Sequence, residues 1–136
     1  MRPAILTLLL AGCGDSPERC AVVGATVDPA LFVLDDDDVF VALAADTTRC
    51  DPGSDHIQVA AVIEETSSFH IADLDDDGQD MDSVAADGLY ERTIFNPFYG
   101  GVVTGAGVLR FEPCDPDCHG PAVEVAIQVD APAGGP

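Results

Sequence analysis

Val123-Glu124-Val125-Ala126-Ile127-Gln128-Val129-Asp130 places an aliphatic branched side chain at every second position. Only an extended chain sends successive side chains to opposite faces, so this stretch reads as a strand with one face in a core. The same period recurs upstream. Ile57, Val59, Ala61 and Ile63 alternate with Gln58, Ala60, Val62 and Glu64, and Phe69 and Ile71 alternate with His70 and Ala72. Val39, Val41 and Leu43 form another face, and Leu109 with Phe111 another. Adding Ala21–Val27 and Leu89–Phe95 gives about seven short strands separated by turns rich in Asp, Gly and Pro. No helical period is sustained, so the pattern predicts an all-β domain, best met by a two-sheet antiparallel sandwich. A closed barrel such as the oligonucleotide-binding fold remains open on strand pattern alone.

The totals narrow what such a domain can touch. The 136 residues suffice for one domain. Hydrophobic residues make up 47% and aromatics only 6%, with no Trp, so the core must be mostly Val, Ile, Leu and Ala. Asp and Glu number 25 against 5 Arg, with no Lys, for a net charge of −20. A surface of this sign repels nucleic acid, which excludes the usual ligand of the barrel alternative. It also repels anionic headgroups, so any membrane attachment must be covalent. What it attracts is cations.

The first residues supply such an attachment. Met1-Arg2-Pro3 carries one positive charge, and Ala4 to Leu10 is an apolar run far shorter than the roughly 20 residues that span a bilayer as a helix. It has the length of a secretory signal core. Leu10-Ala11-Gly12-Cys13 resembles the lipobox of bacterial lipoproteins. That resemblance implies that the Cys13 thiol receives a diacylglycerol and that cleavage leaves the modified Cys13 as the new N-terminus. Residues 1–12 are then a signal peptide, 13–19 a tether, 20–130 the folded domain and 131–136 a flexible tail. The expected location is the bacterial cell envelope, and Gly14 in place of Asp points to the outer membrane under the enterobacterial sorting rule.

Four further cysteines, Cys20, Cys50, Cys114 and Cys118, form the even number that reads as two disulfides in an exported chain. Cys114-Asp115-Pro116-Asp117-Cys118 lies between apolar runs, so a local bridge there is the simplest choice and leaves Cys20 with Cys50. A zinc site using Cys114, Cys118 and His119 is the rival, but it lacks a fourth ligand nearby.

The densest charge lies at residues 73–90. Asp73, Asp75, Asp76, Asp77, Asp80 and Asp82 crowd into ten residues, followed by Asp87-Gly88. Repulsion on that scale is relieved by solvent or by a hard cation such as Ca²⁺, which takes six to eight oxygen ligands from carboxylates on a Gly-turned loop. The expected metal set is Asp73, Asp75, Asp77, Asp80, Asp82 and Asp87; a solvated loop is the alternative. Asp73-x-Asp75-x-Asp77-Gly78 matches half of an EF-hand loop, but Val84 stands where the closing Glu belongs. Asp76-Asp77-Gly78, Asp82 and Ala85-Ala86-Asp87-Gly88-Leu89-Tyr90 more closely resemble the signature of bacterial extracellular immunoglobulin-like domains. The resemblance implies an immunoglobulin-like antiparallel β-sandwich in which this segment joins two strands and its Tyr enters the core. Met81 and Ala86 depart from it, standing where that family usually has Gly. Asp35-Asp36-Asp37-Asp38 is a second acidic run, read as a turn that keeps adjacent strands soluble.

No nucleophile elbow, zinc-protease helix or phosphate-cradling loop occurs, and His56, His70 and His119 are widely spaced. Gly100, Gly101 and Gly107 mark a loop or strand bend. Core packing is the expected role of Tyr90 and Phe95; with Phe98 and Tyr99 they are also the residues available to line a sugar-binding face. The sequence therefore points to a non-catalytic, lipid-anchored module for structure or interaction with a protein partner. Binding of carbohydrate or cell-wall material is the alternative, and it requires a row of exposed aromatics.

Overall fold

The computed structural model describes residues 19–51, 53–76, 88–115 and 117–132. Among them the chain forms eight strands: β1 Ala21–Asp28, β2 Leu31–Val33, β3 Phe40–Thr48, β4 His56–Ile63, β5 Ser67–Leu74, β6 Leu89–Phe95, β7 Gly105–Cys114 and β8 Val123–Asp130. They make two sheets, of three strands ordered β1-β3-β6 and of five ordered β2-β8-β7-β4-β5. All pairings are antiparallel except the short β2 against β8. The architecture is an all-β, immunoglobulin-like sandwich, with no helix among the described residues.

The alternating stretches become the two inner faces. Ile57, Val59, Ala61 and Ile63 of β4 are fully buried, and Leu109, Phe111, Ile127 and Val129 lie beside them on β7 and β8. Val22, Val41, Leu43, Ala45 and Tyr90 face them from the smaller sheet. The termini of the strands fall at two poles. The entry pole, where the chain reaches β1, carries the connections after β3 and β7 and the end of β5 and start of β6; the far pole carries the connections before β3 and after β4 and β6.

Two details differ from the simple alternation. On β5 the buried pair is Ala72 and Leu74, whereas Ile71 is only half-buried. The register explains this: Val59 pairs with Ala72 but Ala60 with His70, so Ile71 is the extra residue of a bulge that shifts the phase. The second is β2, which alternation did not predict. Three residues are too few to show a period, yet Phe32 is buried among the core side chains.

Gly107, expected in a loop or strand bend, has a packing role within a strand. It lies inside β7 opposite Ile63, and a Cβ there would overlap the Val62 carbonyl oxygen and the Ile63 side chain. Gly107→Ala is expected to destabilise the fold by about 1–3 kcal/mol, since the obstacle is backbone that cannot rotate away. A urea midpoint equal to that of the parent would show that β4 and β7 have slack.

Candidate functional site

The entry pole is held by covalent and charged ties. Cys20 is bonded to Cys50 and Cys114 to Cys118, the expected pairing. With both pairs bonded, neither supplies the thiolates that zinc would need. The Arg19 guanidinium donates from Nε and Nη2 to the two carboxylate oxygens of Asp115, and His119 Nε2 lies 3.3 Å from the same group. The hydrogen bond from Arg19 holds the Asp115 carboxyl below its ordinary range, with the charges of Arg19 and His119 adding to it. The turn before β4 ties itself shut: Gly53 N donates to Asp51 Oδ1 at 2.9 Å and Asp51 N to Asp55 Oδ2 at 2.7 Å.

The acidic stretch is described at its two ends. Asp77, Asp80, Asp82 and Asp87 of the expected metal set lie outside the described residues, as does Cys13. Asp73 turns to His70, Oδ1 to Nε2 at 2.9 Å, and its backbone carbonyl accepts from Arg92 Nη1 at 3.2 Å. Asp75 is exposed and forms an isolated antiparallel bridge with Glu91 of β6. Asp76, absent from the expected set, is 2% exposed, and its Oδ2 accepts from Gly88 N at 2.8 Å. Gly88 has a φ of +83°, and its carbonyl accepts from both Thr47 N at 3.0 Å and Thr47 Oγ1 at 2.8 Å. Asp76 thus joins the two ends of the 77–87 connection and moors them to β3. Asp73, Asp75 and Asp76 have different surroundings, and among the described residues they are not grouped as a set of metal donors. Tyr90 follows two residues after Gly88 and is fully buried. Burial pushes its phenol above the ordinary range, and the charges of Asp76, Asp55, Asp51 and Asp75 add to that.

The far pole has a different chemistry. Asn96, buried ahead of Pro97, organises it. Its Nδ2 donates to the carbonyls of Val33 and Asp36, both at 3.0 Å, its Oδ1 accepts from Phe98 N at 3.0 Å, and its backbone N donates to Val39 O at 3.0 Å. Gly100 N adds a bond to Leu34 O at 2.9 Å. These bonds join the Asp35–Asp38 connection to the turn after β6 as one unit. Phe98 points inward, its ring centroid 4.9 Å from Phe32 and 5.8 Å from Phe69. Phe69, at the edge of the larger sheet, is 36% exposed, and three more rings reach water on the smaller sheet and the turn after it. Phe40 is 64% exposed, Phe95 40% and Tyr99 48%. The core role expected of Phe95 is therefore corrected. It pairs in register with Phe40 at the ends of β6 and β3, on the outer face of the smaller sheet. Phe95 meets Phe40 at 5.9 Å and Tyr99 at 5.5 Å, each pair inclined by 73°. The alternation of Val39, Val41 and Leu43 already sends Phe40 to the opposite face, but the sequence did not show that Phe95 and Tyr99 would meet it there.

No family model, curated protein or solved structure matches this chain.

Proposed function

We propose that the protein is a non-catalytic module of the bacterial cell envelope, lipid-anchored at Cys13, that binds another protein through its far pole. The observation that carries this reading is the contiguous row of exposed rings, Phe40, Phe95 and Tyr99, on a chain with only eight Phe and Tyr residues in all. Large apolar rings in water are costly, and aromatic residues are enriched where proteins bind one another. The two disulfides support export to an oxidising compartment. Residue 19 lies at the opposite pole from the rings, so an anchor at Cys13 presents the rings away from the membrane.

The test is made in cells with the full chain. Cys13→Ser is expected to move the protein from the membrane fraction to the soluble fraction. A photo-crosslinking residue at position 99 is expected to give one discrete adduct, and the same residue at position 117 none. Retention of Cys13→Ser in the membrane would remove the anchor, and equal adducts from both positions would remove the polar binding surface.

The exposed rings also meet the requirement set for the carbohydrate alternative. Their arrangement favours it less: successive planes inclined by 73° make corners, whereas a sugar ring stacks on a flat face. Calcium remains a subsidiary part of the proposal, resting on the crowding of Asp77, Asp80, Asp82 and Asp87 in the sequence. A cation bound only by the folded state would raise stability by about 2.7 kcal/mol at a hundredfold excess over its dissociation constant. Thermal unfolding in EDTA and then in millimolar Ca²⁺ is expected to show that rise, and Asp77→Ala with Asp82→Ala to abolish it. An unchanged melting temperature on adding Ca²⁺ would leave these acids as a solvated loop.

A further inference from the structure

We propose that the far pole docks a lysine- and arginine-rich segment of the partner protein, with a cationic side chain seated in the corner between Phe40, Phe95 and Tyr99. This inference rests on the interaction-module reading and specifies the chemistry of its partner.

The rings supply the first argument. Two edge-to-face contacts at 73° turn neighbouring ring planes nearly perpendicular, so their exposed faces border a corner. An ammonium or guanidinium within about 6 Å of a ring centroid is attracted by the negative face of the ring, and a corner offers it more than one. Charge supplies the second. Asp35, Asp37 and Asp38 are exposed on the connection that leads directly into Phe40, and Asn96 bonds that connection to the turn bearing Tyr99. Among the described residues, no ion pair engages these acids. The described arginines are occupied or placed elsewhere. Arg19 binds Asp115, Arg49 lines a shallow depression at the entry pole beside Arg19 and Cys20, Arg92 reaches the Asp73 carbonyl and Arg110 pairs with Glu124 at 3.1 Å. The far pole thus combines exposed π faces with negative charge and has no arginine in its connections.

The same facts disfavour other occupants. A second copy of a chain carrying −20 is repelled, as is an anionic surface. The site is also held together before any ligand arrives. The four bonds of Asn96 fix the acidic connection against the aromatic turn, which lowers the ordering cost of binding.

The test uses the full chain in a maltoside detergent, a fluorescent oligolysine peptide as probe and a Gly-Ser peptide of equal length as control. Oligolysine is expected to bind with an affinity that falls as salt rises, and the control is not. Tyr99→Ala and Phe95→Ala are each expected to weaken binding roughly five- to tenfold, with Tyr99→Phe close to the parent. Both rings are exposed, and an unchanged melting temperature checks that the fold survives. Asp37→Asn with Asp38→Asn is expected to flatten the salt dependence, and Asp117→Asn at the entry pole to change little. Amide shifts on adding peptide are expected at residues 35–40 and 95–101. The proposal is overturned if the alanine variants bind like the parent, or if the shifts centre on residues 49–55 and 117–120, since general attraction to an acidic protein then accounts for binding. It is equally overturned if a soluble oligosaccharide moves the far-pole amides and oligolysine does not, or if the rings only mediate self-association. None of these outcomes touches the crosslinking result at position 99, which depends on contact and not on the partner's charge.

Discussion

Tyr90→Ala is expected to destabilise the domain by about 3–5 kcal/mol, while Tyr90→Phe leaves stability unchanged or raises it by about 1 kcal/mol. The ring is fully buried in a core built mainly of Val, Ile, Leu and Ala, so truncation opens a cavity that rigid neighbouring strands fill poorly. The hydroxyl is a separate matter. It is buried and has no hydrogen-bond partner among the described residues, and removing an unpaired polar group relieves its desolvation cost. The two substitutions together separate the ring from the hydroxyl in one urea titration. A loss above about 1 kcal/mol in Tyr90→Phe would mean that the hydroxyl is paired in solution. The pH dependence has a definite sign. Burial, with nearby carboxylates adding, raises the phenol above its ordinary 10.0, so the unfolded chain gives up this proton first. Stability from this group is complete below pH 10.0 and declines as pH rises beyond it. Tyr90→Phe is expected to remove that alkaline decline.

Removing the Cys20–Cys50 bond is expected to cost about 3.5–4 kcal/mol, and removing Cys114–Cys118 about 2 kcal/mol. The order follows from the chain closed by each bond: partners 30 residues apart in one case and 4 in the other. A longer loop loses more freedom in the unfolded state when it is closed. Cys20 is also buried, so Cys20→Ala adds a packing loss. Against the 5–15 kcal/mol typical of a folded domain, the larger figure is a substantial fraction of the total. Paired alanine substitutions followed by urea unfolding measure both. Equal costs for the two pairs would show that loop length does not govern these bonds.

The sheet cores were legible because burial on one face imposes period two, and β4 obeys it at Ile57, Val59, Ala61 and Ile63 without exception. Where the phase slips, the pattern misleads. The bulge at Ile71 transfers burial to Ala72, and an extra residue in one strand leaves no mark on composition. The acidic segment was conspicuous as charge, but charge alone did not mark Asp76, whose carboxylate accepts from the Gly88 backbone amide. Six clustered acids look alike in sequence, and only the fold separates buried Asp76 from its exposed neighbour Asp75. The far pole was least legible. Phe40, Phe95 and Tyr99 are distant in sequence and meet because β3 pairs with β6, and a short apolar segment around Phe95 does not reveal which face reaches water.

The bond between Cys20 and Cys50 has a mechanical consequence. β1 is an edge strand paired only with β3, the middle strand of its sheet, and the first residue of β1 pairs with Thr48 at the end of β3. Tension drawn through the N-terminus toward the far pole would ordinarily have to cross from β1 to the rest of its sheet through the hydrogen bonds of that one pairing. With Cys20 fastened to Cys50, the pull passes around β1 and enters the sheet along its central strand. A domain tethered at this end and grasped at Phe40 is therefore loaded along the covalent backbone of β3, and the hydrogen bonds of β1 are spared.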